Sequence, residues 1–152
     1  MAAKAPRPAQ GSVTVYVPEV LLPILEERVR LRARGMKQYF SLLLRAYRDG
    51  GPDARALTDL MAAPGNNRYQ KSDLKLKRKS FTALDEDWGK LKALSARDRV
   101  SCSFLYVILF MFEAGLVSVR RDRVLVKSPE AREVLENMYP DIRTIALVHS
   151  AD

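Results

Sequence analysis

The chain has 152 residues, enough for one domain with its own core, and 47% of them are hydrophobic, which argues against intrinsic disorder. Its 26 Lys and Arg outnumber 18 Asp and Glu, giving a net charge of +8, so an anionic partner is expected: nucleic acid first, then an acidic protein or a membrane surface. A single cysteine, Cys102, excludes an intrachain disulfide and a cysteine metal cluster; a single histidine, His149, leaves nothing from which to build a histidine relay.

Residues 1–11, rich in Ala and Pro, form a flexible basic arm; without an apolar centre they do not have the pattern of a signal peptide. Residues 12–17 alternate, with Val13, Val15 and Val17 on one face and Ser12, Thr14 and Tyr16 on the other, the period of a half-buried strand. A helix follows from Pro18 or Glu19 to about Arg34. Pro23 means that it either starts late, with the proline in its first turn, or kinks there. Leu22, Leu25 and Val29, with Leu31 as a further candidate, are its buried stripe, and Gly35 suits a left-handed exit. A second helix over residues 37–48 carries Phe40, Leu43, Leu44 and Tyr47 on one face and stops at Gly50.

Residues 51–73 are a connector, with a short helix over 52–63 and a turn at 64–67. Arg68, Lys71, Lys75, Lys77, Arg78 and Lys79 then crowd into the most basic segment of the chain, either a nucleic-acid contact or a solvated linker. Residues 78–83 are a weaker strand-like run with two open phases. If Phe81 points inward, Arg78, Ser80 and Thr82 face outward. If Leu74 and Leu76 hold the inward phase, Lys75, Lys77 and Lys79 face outward instead. Asp85 is the expected cap of the next helix, with Glu86 and Asp87 in its first turn and Trp88, Leu91 and Leu94 at helical spacing.

Ser101 or Ser103 caps a further helix that is apolar on every side from residue 104 to 112. That stretch is too short to span a bilayer, and a helix of this kind is buried all round. Part of its cover comes from the rest of the chain, and the remainder from the tail or from a second copy of the protein. The tail offers a hairpin of residues 117–119 and 124–126 around Arg120-Arg121-Asp122-Arg123. A helix then starts at Ser128-Pro129-Glu130 and runs to about Tyr139, and residues 142–148 are a last apolar strand.

The strand–helix–helix pattern occurs twice. Tyr39 aligns with Phe104, Leu44 with Leu109, Tyr47 with Phe112 and Gly50 with Gly115, at a constant spacing of 65 residues. One unit of ~40 residues cannot bury its own apolar face, but two can bury each other's. The run Val13-Thr14-Val15-Tyr16-Val17-Pro18, with Gly35 before a Leu-rich second helix, resembles the ribbon-helix-helix DNA-binding family of the Arc and methionine-repressor type. The resemblance covers residues 12–49 and 77–114. It implies a mainly α fold in which two ribbon-helix-helix units of one chain, residues 12–50 and 74–115, pair into a two-stranded antiparallel ribbon with four main helices. Such a tandem pseudo-dimer would carry a C-terminal β-hairpin/helix extension over residues 116–152.

The resemblance also implies sequence-influenced binding to double-stranded DNA, with the ribbon in the major groove, by a cytoplasmic, nucleoid-associated transcriptional regulator or repressor. A two-stranded ribbon fits that groove, and alternate residues point at the bases. The base-contacting set is then Ser12, Thr14, Tyr16, Arg78, Ser80 and Thr82. The DNA-backbone set is Met36 and Lys37 at the start of one second helix, Ser101 and Cys102 at the start of the other with Arg99 adding charge there, and Lys75, Lys77 and Lys79. Two unlike strands imply an asymmetric target site. No enzyme activity, cofactor or metal is expected: there is no glycine-rich phosphate loop, and helix-start charge accounts for Asp85, Glu86 and Asp87.

Two rival readings stay open. One is a protein-interaction module, antitoxin-like or an inhibitor, that uses the same fold on an acidic partner. The apolar surface of residues 104–117, or the C-terminal extension, would also serve self-association. The other is RNA binding through the basic segment.

Overall fold

An alternating strand needs a partner strand and a core beneath it. The computed structural model, which describes residues 9–50, 75–120, 123–138 and 147–149, contains both. Strand β1 (Gln10–Pro18) pairs antiparallel with β2 (Leu76–Leu84), with Val13 opposite Phe81, Thr14 opposite Ser80 and Tyr16 opposite Arg78. A 3-10 turn, Glu19–Leu21, leads from β1 into helix α1 (Leu22–Arg32). Pro23 lies in the first turn of α1, where its missing N–H breaks no helical bond, so the helix starts late and is not kinked. Helix α2 (Met36–Gly50) follows.

Strand β2 runs directly into α3 (Asp85–Asp98). Leu84 rather than Asp85 is the cap residue, and Asp85, Glu86 and Asp87 fill the first turn, complementing the positive end of the helix dipole. Helix α4 (Cys102–Glu113) is capped by Ser101, whose hydroxyl accepts the Phe104 N–H at 3.1 Å. Strands β3 (Val117–Arg120) and β4 (Arg123–Val126) pair antiparallel, and β5 (Leu147–His149) adds to β4 in parallel. Helix α5 (Pro129–Met138) comes between β4 and β5 in sequence and packs on β4 and on the turn at Glu19–Leu21.

The core is built around α4. Residues 104–111 are between 0 and 3% exposed, and β1, α2, α3 and β3 all pack against this helix. Under the strand pair lies an aromatic cluster. The Phe40 ring stands edge-on to Phe81 at 5.7 Å and to Trp88 at 6.2 Å, and tilted to Tyr106 at 6.0 Å. Pairs of this geometry contribute about 0.5–1.5 kcal/mol each beyond the area they bury. Val117, Val124, Val126, Ala131, Val134 and Leu135 extend the same core into the C-terminal elements.

This arrangement overturns the mainly α fold expected from the repeat, with its four main helices and a C-terminal hairpin/helix extension. The described residues hold five α-helices and two separate sheets, of two and three strands. The physical cause is α4. Its apolar surface runs round the whole helix, so the C-terminal strands and α5 are part of one core and not an appendage. The two halves are also unequal: a 3-10 turn separates strand from helix in the first only, and among its described side chains α2 buries Tyr39, Phe40, Leu43 and Leu44 whereas its counterpart α4 buries eight residues. The basic arm at 1–8, the connector at 51–73 with its helix and turn, the hairpin tip at 121–122 and residues 142–146 of the expected last strand lie outside the described residues.

One charged clamp fastens the far end of α4. Glu113 closes that helix with its side chain only 6% exposed, where a carboxylate opposes the negative end of the helix dipole. Arg28 of α1 compensates on both counts. Its Nε donates to Glu113 Oε1 at 3.0 Å and Oε2 at 2.8 Å, and its Nη2 donates to the Glu113 backbone carbonyl at 3.1 Å. Nearby, the Tyr39 hydroxyl is buried with no hydrogen-bond partner. Burial first, and the Glu113 charge second, push its ionisation upward; burial does the same to Tyr106.

Arg28→Ala leaves the buried Glu113 carboxylate with only Arg32, 3.9 Å away, and we expect urea unfolding to register a loss of about 2–3 kcal/mol, with Arg28→Lys recovering only part because it cannot form the fork. Tyr39→Phe removes an unsatisfied hydroxyl and should raise neutral-pH stability by about 1 kcal/mol. Because the folded state holds Tyr39 and Tyr106 protonated, stability does not change with their titration below the ordinary tyrosine range near 10 and falls as pH rises above it. Absorbance at 295 nm should therefore report these two phenols only as the circular dichroism collapses, and Tyr39→Phe should move that alkaline midpoint upward.

Candidate nucleic-acid interface

Side chains directly opposite in an antiparallel pair share a face. One face of β1 and β2 therefore carries Ser12 with Thr82, Thr14 with Ser80 and Tyr16 with Arg78. All six side chains are polar; Thr14 is half-buried and the other five are exposed, Tyr16 at 45%. The opposite face turns Val13, Val15, Val17, Phe81 and Ala83 to the core. Of the two open phases for the second strand, the one that points Phe81 inward is therefore observed. At the centre of the outward row, the Thr14 and Ser80 hydroxyls hydrogen-bond to each other at 2.9 Å.

The lysines of the basic run do not join that row. Lys79 stands on the inner face opposite Val15, half-buried, with its ammonium 3.7 Å from Glu26 of α1. Its stem lies along the apolar surface while the charge reaches out past it. Lys77 is exposed opposite Val17 near the end of the pair. Lys75 precedes the strand in a left-handed conformation, φ 51°, and its carbonyl accepts the Glu19 N–H at 3.0 Å.

The two helix starts flank opposite ends of the strand pair. Lys37 donates to the Gln10 side chain at the end where Gln10 meets Leu84. There the α2 start is ordered by Gln38, whose side-chain oxygen accepts the Arg34 N–H at 2.7 Å. At the other end, the Ser103 hydroxyl accepts the Tyr16 N–H at 2.9 Å, which pins the first turn of α4 to β1. Met36, Ser101 and Cys102 are half-buried at these helix starts, and Lys37 and Arg99 are exposed beside them. Arg99 is left-handed, φ 56°, in a position that glycine fills most easily. Cys102 is half-buried against the core, and its sulfur lies 3.4 Å from the Ser95 hydroxyl.

Charge is uneven along the row. Lys75, Lys77 and Arg78 gather at the Pro18–Leu76 end, whereas at the other end Asp85 donates its N–H to the Ala9 carbonyl and sets its carboxylate beside Gly11. Sequence reasoning missed three anchors of this geometry: Ser103, Gln38 and Gln10. The Ser101–Ser103 alternative for the cap gave partial warning of the first; Gln38 binds a backbone N–H only four residues away, whereas the contact of Gln10 with Lys37 is long-range and has no local signature. Among the described residues no cluster of His, Cys, Asp and Glu is arranged to hold a metal ion, and no helix is long and apolar enough to cross a membrane.

No curated protein and no solved structure matches the chain. A family model described as a protein of unknown function, DUF1564, matches residues 2–126, which span β1 through β4 and every candidate contact above. The chain therefore belongs to the DUF1564 family.

Proposed function

We propose that this protein binds double-stranded DNA, seating the outward face of β1 and β2 in the major groove, and acts as a sequence-influenced transcriptional regulator. The observation that carries the proposal is the outward row itself: six polar side chains on a narrow strand pair, with the starts of α2 and α4 at its two ends. A strand pair of this width fits a major groove, and free amides at helix starts attract phosphate oxygens. The net charge of +8 supports an anionic partner, and the likeness of residues 12–49 and 77–114 to ribbon-helix-helix DNA-binding proteins points the same way. Phosphate contacts from Lys37 and Arg99 would supply affinity, and the row would supply discrimination.

The test is selection from a random duplex pool near physiological salt, followed by affinity measurements against ionic strength. Affinity should fall steeply with salt, by about 0.9 log units per log unit of salt for each phosphate neutralised. Lys37→Ala and Arg99→Gly should each weaken all duplexes equally and flatten that slope by about 1. Arg99→Gly should at the same time stabilise the fold by about 1 kcal/mol, because glycine adopts the left-handed backbone without strain. An affinity that ignores salt would overturn the proposal in favour of a protein partner.

A further inference from the structure

Resting on the DNA-binding proposal, we infer that base recognition is one-sided: Arg78 and Tyr16 read the sequence at one end of the strand pair, and the other end only seats it. The outward row has three cross-strand steps, and they are not equivalent. At the centre, Thr14 and Ser80 bond to each other at 2.9 Å, and whichever hydroxyl donates has no hydrogen left for a base. At the Gln10–Leu84 end, Ser12 and Thr82 are short hydroxyl side chains, tolerant of either partner in a base pair.

At the Pro18–Leu76 end, the two longest side chains of the row, Tyr16 and Arg78, stand directly opposite each other. That end is held by contacts from three other parts of the fold. The Tyr16 N–H is bonded to Ser103, Glu19 N–H closes on the Lys75 carbonyl at 3.0 Å, and α5 packs on the turn that follows. A side chain on a fixed backbone discriminates better than one on a mobile backbone. Arginine takes guanine through two parallel hydrogen bonds, and an aromatic ring suits the thymine methyl of a neighbouring pair. The ligand is thus a duplex with a single short block containing guanine next to thymine, not two related half-sites.

The experiment is a base-pair substitution scan of the selected duplex, run on the full-length protein and on three variants whose melting curves confirm folding. Wild type should lose affinity within one contiguous block only. Arg78→Ala should erase discrimination at the guanine by about tenfold or more, Tyr16→Ser should erase it at the adjoining thymine, and the paired Ser12→Ala, Thr82→Ala variant should weaken all duplexes alike, because these two hydroxyls seat the strand pair without reading it. A second block that disappears in the Ser12→Ala, Thr82→Ala variant, or a palindromic profile, would overturn the one-sided inference while leaving DNA binding in place. Failure of the wild type to retain any duplex would overturn both.

Discussion

Helix α4 has no polar side, and a helix of that kind is stable in water only when it is enclosed from every direction. The rest of the molecule is arranged to meet that demand. β1, α2 and α3 cover part of its surface, β3 covers more, and β4 and α5 extend the same core beyond it. The one charge that the helix carries, Glu113 at its last residue, is fixed by a bidentate arginine from α1. Enclosure thus determines where α1 lies as well as where the C-terminal sheet lies.

The same enclosure determines what is left to face outward. A two-stranded sheet is marginal on its own and needs an apolar bed. Here the bed is the Phe40, Phe81, Trp88 and Tyr106 cluster, which touches α4 through Tyr106. Because the inner faces of both strands are committed to this cluster, their outer faces are committed to polar side chains. The starts of α2 and α4 are brought to the strand pair by contacts that do not depend on any partner: Lys37 with Gln10, and Ser103 with Tyr16. A surface with this composition and these flanks is assembled before any ligand arrives, so little ordering cost would accompany binding.

Much of this was legible in sequence where the signal was local. The alternation of Val13, Val15 and Val17 marked β1, Ser128-Pro129-Glu130 marked the start of α5, and the unbroken apolar run at 104–112 marked α4 as central. The phase of β2 was not legible, because Lys79 occupies an inner position that local pattern reserves for an apolar residue. Its stabilising partner, Glu26, is remote in sequence. The repeat spacing was real as a pattern but misjudged the architecture. Spacing records which residues match, and it carries no information on how much apolar surface remains uncovered. The parallel addition of β5, the Arg28 clamp and the Tyr16–Ser103 bond are all long-range, and no neighbouring residue announces them.

The bond from the Tyr16 amide to Ser103 has a consequence for how copies of this chain treat one another. A two-stranded sheet has two open edges, and an open edge is a template on which a strand of another molecule can add. Templating needs an uninterrupted row of amides and carbonyls. On β1 that row is cut short at one end, since the Tyr16 N–H is already taken and the next alternate residue, Pro18, has none to offer. Sheet growth from chain to chain is therefore discouraged along this end of the open β1 edge.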